Sequence, residues 1–393
     1  MHEAYEQDRL GFLLATVREH GPVVELSPGT VLVADPEAVH EVLKRTNTDF
    51  LMTQNRQKRS TAGHRGEAEL DSWMTTRRAT LSALAGEAVD AHLDWYATQV
   101  GALVDAWKRR GTVDDALPEL TDLSTLAFAQ LCLGRDDPEL RSLVTALQLA
   151  LLPIVGSNLR LPAPLAALSP TRRRAVRAQR DLTELLHRRV AEPSAGGLAH
   201  TLRSAGVPAD PLVRMLTSMA LASRLVSAAA ISWIIAGLGD PGGQNGDGPL
   251  TATEVAHAVD ESLRLWPPTW MLFRETDREQ LCASWRIPAD AAVMVSPYVS
   301  HRDPAVYADP LRYAPDRWED LSPGPGAYLP FGGGSRWCLG GRLGKAQLLT
   351  AASVINREAV ITTTTAPSTP NVRSSMIPDH FSFHVVARPS RSS

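Results

Sequence analysis

Apolar positions along the chain change their spacing twice. Residues 22–35, Pro-Val-Val-Glu-Leu-Ser-Pro-Gly-Thr-Val-Leu-Val-Ala-Asp, hold two short β-branched runs joined by Ser27-Pro28-Gly29. That arrangement predicts a hairpin. Asp35-Pro36-Glu37 then predicts a helix start, with Asp as N-cap and Pro as the first helical residue. From about residue 70 to 260 the pattern is helical and rich in Ala, Leu, Arg and Glu, with a break at Gly111. Pro162, Pro164 and Pro170, followed by Arg172, Arg173 and Arg174, mark a loop and a further helix start. The glycine-rich stretch 237–250 marks a flexible turn. β signals return in residues 291–301 and 380–389. No repeat period or long linker divides the chain. The expected architecture is one domain over residues 1–393, mainly α with a small β lobe (α+β), the lobe built from both ends of the chain.

Residues Met215 to Leu238 form an apolar run of bilayer-compatible length. Arg224 near its middle is costly in lipid, and the small residues around it suit close helix packing. A buried core helix is expected, with no membrane association. The first residues are acidic and polar, without the basic start and apolar run of a secretory signal. A cytoplasmic location follows as the expectation.

Composition narrows the class. With 44% hydrophobic and 21% charged residues the chain is too apolar for a disordered protein. Forty Lys and Arg against 43 Asp and Glu give a net charge of −3, which provides no electrostatic footprint for nucleic acid. Cys132, Cys282 and Cys338 are too few and too scattered for a disulfide framework, which fits a reducing compartment.

Chemistry concentrates in residues 330–341, Pro-Phe-Gly-Gly-Gly-Ser-Arg-Trp-Cys-Leu-Gly-Gly, just before a run of good helix formers. The glycines permit a tight loop. A cysteine at a helix mouth has its thiolate favoured by the helix dipole and free amide donors. Arg336 adds a positive fork two residues earlier. A lone cysteine is also often just a small buried hydrophobe. Phosphate cradling is excluded, because the loop lacks the Gly-Lys-Ser/Thr ending.

Phe331-x-x-Gly334-x-Arg336-x-Cys338-x-Gly340 resembles the haem-ligand signature of the cytochrome P450 superfamily at every fixed position. Glu261-Ser262-Leu263-Arg264 resembles that family's Glu-x-x-Arg motif, and Pro315-Asp316-Arg317-Trp318 the segment whose arginine joins it. Trp73 and Arg77, Arg274 after Pro267-Pro268, and His301-Arg302-Asp303-Pro304 stand where the family has related residues. The resemblance runs from about residue 20 to 390. It implies the P450 fold and haem b, with Cys338 as axial thiolate, favouring O–O cleavage. It also implies Arg336, Arg274 and Arg77 as partners of the haem propionates, Trp73 as an indole donor, and Phe331, Gly332 and Gly340 as parts of the haem-contacting loop. Glu261, Arg264 and Arg317 become a structural network rather than catalytic groups.

The helix expected over the distal face departs from the family pattern. Where members carry Ala-Gly-x-acid-Thr-Thr, this chain has Ala222, Ser223, Arg224, Leu225, Val226 and Ser227. Neither Leu225 nor Val226 can move a proton. Ser227 points about 100° away from Val226, whereas Ser223 lies on nearly its face. Arg224 stays charged and is a poor shuttle; it is open to anchoring a substrate carboxylate or to pairing with another helix. Three functions fit: a monooxygenase whose protons come through substrate or water, a peroxide-driven or non-oxygenating haem-thiolate enzyme, or a non-catalytic haem-fold helper. Helpers of that sort can lose the ligand cysteine, which this chain keeps.

The resemblance puts pocket walls at Leu51, Met52, Met219, Ala222, Thr269, Met271, Leu272, Met376 and Ile377, each also compatible with plain core. Their apolar, methionine-rich character suits a hydrophobic substrate, a terpenoid or polyketide of secondary metabolism. The partners implied are a separate ferredoxin-type protein and its reductase, docking near Arg342, Lys345, Arg78, Arg109 and Arg110, with the chain a monomer.

Overall fold

The computed structural model describes residues 2–52, 64–84, 87–155, 169–239, 248–365, 370–372, 375–379 and 382–389. The chain packs as two compact units, Met1–Asp71 with Thr251–Gly341, and Ser72–Leu250 with Arg342–Ser393. In chain order, α1 (His2–Gln7), α2 (Arg9–His20), β1 (Val23–Ser27), β2 (Thr30–Val33) and α3 (Pro36–Lys44) open the first unit. α4 (His64–Ala83) carries the chain into the second. There α5 (Glu87–Arg110), β3 (Thr112–Val113), α6 (Leu117–Leu133), α7 (Pro138–Val155), α8 (Pro170–Ala191), α9 (Leu198–Ser204) and α10 (Ala209–Leu238) follow. The chain returns to the first unit as α11 (Ala252–Leu265), β4 (Leu272–Glu275), β5 (Gln280–Cys282), β6 (Trp285–Ile287), β7 (Ala292–Val295) and α12 (Pro297–Ser300). α13 (Gly341–Glu358), β8 (Ala359–Thr365) and β9 (Ser382–Ala387) complete the second.

In the first unit the expected hairpin forms, with Gly29 at φ +75° in its turn and β1 antiparallel to β2. β7 adds to β2 in parallel, Thr30 facing Ala292, and β4 closes the sheet antiparallel to β7. Val31, Val33, Val293 and Val295 turn into a core shared with Val39, Val42 and Leu43 of α3 and with Leu329. β-branched side chains suit this pleated, half-covered surface. Asp35 caps α3 as the sequence predicts, its carboxylate accepting from the Ala38 amide at 2.9 Å. α11 starts on a capping box between Thr251 and Glu254. Residues 301–340 run largely without regular structure, apart from 3₁₀ turns at Pro315–Glu319 and Gly334–Arg336.

In the second unit α10 is the described helix long and apolar enough to cross a membrane by length and composition. It packs against α6 and α8, with Ala228 through Gly237 buried, as a core helix does. α8 begins at Pro170 behind the Ser169 cap. The other loop prolines, Pro162 and Pro164, lie outside the described residues, as does 240–247 of the glycine-rich stretch. The helical run 72–111 divides into α4 and α5, the latter ending at Gly111 with φ +73°.

One expectation is corrected. The β lobe is not built from both ends of the chain. The N-terminal hairpin belongs to the sheet β1-β2-β7-β4, whereas the C-terminal strand β9 pairs with β8 and β3 in a separate sheet of the second unit. β8 and β9 are consecutive and antiparallel, the arrangement sequential strands usually take. Alternation predicts which face a strand buries but not which neighbour it finds.

Replacing Asp35 by Ala removes the side-chain acceptor of the α3 cap. A loss of about 1 kcal/mol is expected, read as a lower urea midpoint at unchanged slope.

Candidate functional site

Two fully buried side chains one turn apart on α11 anchor the first unit. The Arg264 guanidinium grips Glu261 through Nε and Nη2, both at 2.8 Å. Its remaining donors reach the carbonyls of His301 (2.9 Å), Pro310 (2.7 Å) and Arg312 (3.0 Å), so all five N–H bonds are used. Glu261 also accepts from the Ala314 amide at 2.8 Å, Arg317 Nε at 3.1 Å and the Trp318 indole at 3.0 Å. The predicted trio Glu261, Arg264 and Arg317 is therefore brought together, with Trp318 as a fourth member that the sequence reading did not assign. Complete pairing is what allows such charges to be buried.

The glycine-rich loop follows. Gly332 and Gly334 take φ of +70° and +63°, conformations L side chains rarely adopt. A Cβ at Gly334 would collide with the Leu43 carbonyl at the end of α3, and one at Gly341 with the Trp337 indole. The Gly332 amide donates to the Leu329 carbonyl at 3.0 Å, and the Cys338 amide to the Phe331 carbonyl at 2.9 Å. The Phe331 ring lies 6.5 Å from that of Trp337 in an edge arrangement. Cys338 is exposed three residues before α13, and Gly340 is half-buried between them. Cys132 and Cys282 are buried, and burial pushes both thiols up, Cys282 to about 11.

Residues just after α3 clamp this loop, a feature with no signal in the sequence. The Ser335 hydroxyl donates to the Thr46 carbonyl at 2.9 Å. Arg336 Nε and Nη2 donate to Asn47 Oδ1 at 3.1 and 2.9 Å. Asn47 itself sits at φ +81°, which asparagine tolerates better than most residues. Arg274, 4% exposed, donates to Thr46 Oγ1 and the Phe273 carbonyl, each at 2.8 Å. Burial pulls its guanidinium down to about 10. Arg274 and Arg336 thus converge on Thr46–Asn47 through neutral partners. Of the pocket candidates in this unit, Leu51 and Met271 are buried, Met52 and Leu272 half-buried, and Thr269 exposed.

The remaining candidates lie in the second unit. Arg77 is buried with its guanidinium 5.5 Å from the Trp73 ring centroid. On α10, residues 223–227 are half-buried and Ala222 exposed, while Ala228 through Gly237 are buried. The Ser223 hydroxyl turns back toward the Ala220 carbonyl at 3.5 Å. Arg224 donates to Gln148 Oε1 of α7 at 2.6 Å, so its interhelical partner is a neutral amide and not the carboxylate of an ion pair. Burial lowers its pKa, with Asp122 acting the other way. Met219 and Ile377 are half-buried. Met376 is fully buried, its carbonyl accepting from the Trp233 indole at 3.0 Å. Arg110 pairs with Glu119 at 2.8 Å, Arg78 reaches Thr75, and Arg342 is exposed.

Residues 255–358, from α11 through α13, match the family described as Cytochrome P450. Cyclooctatin synthase of Streptomyces melanosporofaciens is 41% identical over 100 residues, 24% of this chain and 21% of that protein. Cyclooctat-9-en-7-ol 5-monooxygenase of the same organism is 36% identical over 103 residues, 25% and 22% of the two chains. These matches span about a fifth of the relatives' length. Over the whole chain, the crystal structure of CYP175A1 from Thermus thermophilus is similar with a TM-score of 0.77 at 24% identity, covering 98% of this chain and 96% of that one. By sequence, residues 255–358 are similar to the cytochrome P450 family, and over nearly its full length the chain has the fold of solved cytochrome P450 structures.

That likeness implies haem as cofactor, and the residues present fit it. Among the described residues no group of three or more His, Cys, Asp or Glu is poised to hold a metal ion. Arg274, buried against neutral acceptors, suits an anionic group such as a propionate.

Glu261→Ala leaves Arg264 buried without its counter-charge. A loss of about 3–5 kcal/mol is expected, measured by chemical denaturation together with the haem content of the purified protein.

Proposed function

We propose that residues 1–393 form one haem-thiolate oxidoreductase domain, with Cys338 as the axial ligand of haem b, acting on a hydrophobic small molecule. The observation that carries this reading is the exposed cysteine on a loop whose Ser335 and Arg336 bond Thr46 and Asn47, the same turn that Arg274 bonds through the Thr46 hydroxyl. Bound haem supplies redox and oxygen chemistry that no side chain here provides. The chain's own residues hold it. The start of α13 favours the Cys338 thiolate, Arg274, Arg336 and Arg77 take the propionates, and Trp73 adds an indole donor. Phe331, Gly332 and Gly340 let the loop approach the macrocycle closely.

We infer a terpenoid of secondary metabolism as the substrate class, a reading supported by the partial similarity to cyclooctatin synthase and cyclooctat-9-en-7-ol 5-monooxygenase. The methionines and leucines of the candidate walls agree with an apolar ligand. We assign the electrons to a ferredoxin-type protein with its reductase, binding a positive surface that includes Arg342 and Lys345. We take the protein to be a soluble cytoplasmic monomer, α10 being a core helix.

Proton handling distinguishes this chain. Leu225 and Val226 cannot donate or accept, Arg224 is engaged with Gln148, and the Ser223 hydroxyl leans on its own helix. Protons therefore enter through a substrate hydroxyl or water. The same residues favour a second reading, in which peroxide replaces oxygen and external electrons.

In the ferrous carbon monoxide spectrum the wild-type protein should show the thiolate-type Soret band, and Cys338→Ser should lose it while keeping its helical circular dichroism. An unchanged band in the variant would remove Cys338 as ligand. Turnover with reductase and oxygen, set beside turnover with hydrogen peroxide alone, separates the two readings. If the missing alcohol limits protonation, Val226→Thr raises the ratio of product to consumed reductant; an identical ratio in both proteins defeats that explanation.

A further inference from the structure

His301 is completely buried, immediately after α12, and both of its ring nitrogens are committed. Nδ1 lies 3.1 Å from the Arg264 carbonyl, which can only accept, so Nδ1 carries the proton. Nε2 lies 2.7 Å from the Leu329 amide, which can only donate, so Nε2 is bare. The ring is thereby fixed as one neutral tautomer. Its own carbonyl accepts from Arg264 at 2.9 Å, so the residue is bonded to that arginine twice over.

On the other side of the imidazole the Leu329 amide leads directly into the glycine-rich loop. The Leu329 carbonyl accepts from Gly332, and two residues after Leu329 the Phe331 carbonyl accepts from the Cys338 amide. A continuous path of hydrogen bonds and short backbone steps thus joins the buried ion network to the residue that carries the sulfur. We propose that His301 is a positioning residue, through which the Glu261–Arg264 network sets the backbone of the loop presenting Cys338. This rests on the haem-thiolate reading of that loop.

The proposal has a pH signature. The charged groups around the imidazole are the Arg264 and Arg302 guanidiniums, with Glu261 behind Arg264. Tyr328 lies across it at 5.2 Å, its hydroxyl bonded to Asp260. Burial first, and then the two cations, pull His301 down to about 3. Protonation would also turn Nε2 into a donor facing the Leu329 donor. Because the folded-state pKa is depressed, the unfolded chain binds the extra proton first. The contribution of His301 to stability is complete above about pH 6.5 and is lost as pH falls toward the folded value.

Two variants separate positioning from bulk. His301→Gln can place an acceptor oxygen near the former Nε2, whereas the shorter amide of His301→Asn reaches only the Arg264 side. We expect H301Q to keep the thiolate-type ferrous carbon monoxide spectrum and to move the acid midpoint for its loss below that of wild type. H301N should lose much of that spectrum, and its Leu329 amide should exchange with solvent about tenfold faster. Equal behaviour of the two variants, or an acid midpoint in H301Q no lower than wild type, overturns the proposal. Should H301N fail to fold, the acid titration of H301Q against wild type decides the matter. If wild type itself shows no thiolate-type band, the haem reading fails, and Leu329 exchange in H301Q against wild type still tests the His301 link on the purified full chain.

Discussion

A carboxylate and a guanidinium removed entirely from water tolerate no missing partner, and that constraint organises the first unit. Arg264 spends every N–H, and Glu261 takes the Ala314 amide, the Arg317 guanidinium and the Trp318 indole besides Arg264. Three of these partners come from a stretch with almost no regular structure. Backbone groups there have no ladder of their own, so the ion network acts as their secondary structure. The burial of two charges on one helix thereby becomes a fixed path for residues 301–318. Without the carbonyls of His301, Pro310 and Arg312, the charges could not be buried.

The loop beyond that stretch depends on the same economy of polar groups. Tyr307 donates to the Ala327 carbonyl and Tyr328 to Asp260, while Leu329 is both a core side chain and the amide donor to His301. By the time the chain reaches Gly332 its direction is set from the network side. Thr46 and Asn47 then fix Ser335 and Arg336 from the α3 side. Positive φ at Gly332 and Gly334 lets the backbone turn between these two anchors, and the contact with Leu43 leaves no room for a side chain at Gly334. An exposed cysteine held this way keeps its chemistry, while the two buried cysteines have theirs suppressed by desolvation.

The helix α10 shows the opposite arrangement. From Ala228 to Gly237 its surface is closed by packing, and between Ala222 and Ser227 it is open. The open part carries Leu225 and Val226, whose side chains can neither donate nor accept a proton, beside Ser223, Arg224 and Ser227. Arg224 avoids an uncompensated buried charge by bonding a glutamine on α7 and by remaining half-exposed. Apolar residues on this face fit a hydrophobic ligand more readily than they fit proton relay.

Much of this protein was legible in one dimension. The hairpin around Gly29, the Asp35 cap and the mainly helical middle follow from short-range patterns, because caps and turns are local, whereas the cysteine loop and the trio Glu261, Arg264 and Arg317 were legible only through a resemblance to a family's motifs. The sequence could not reveal that Thr46 and Asn47 clamp the loop, that Trp318 and His301 belong to the network, or that β9 joins β8 and β3 instead of the N-terminal hairpin. Nor could it show that Arg224 would meet a neutral amide. Each of those is a pairing between residues far apart in the chain, decided by which surfaces meet when the core closes. The identity of a side chain states what it can bond, and only the folded packing selects the partner.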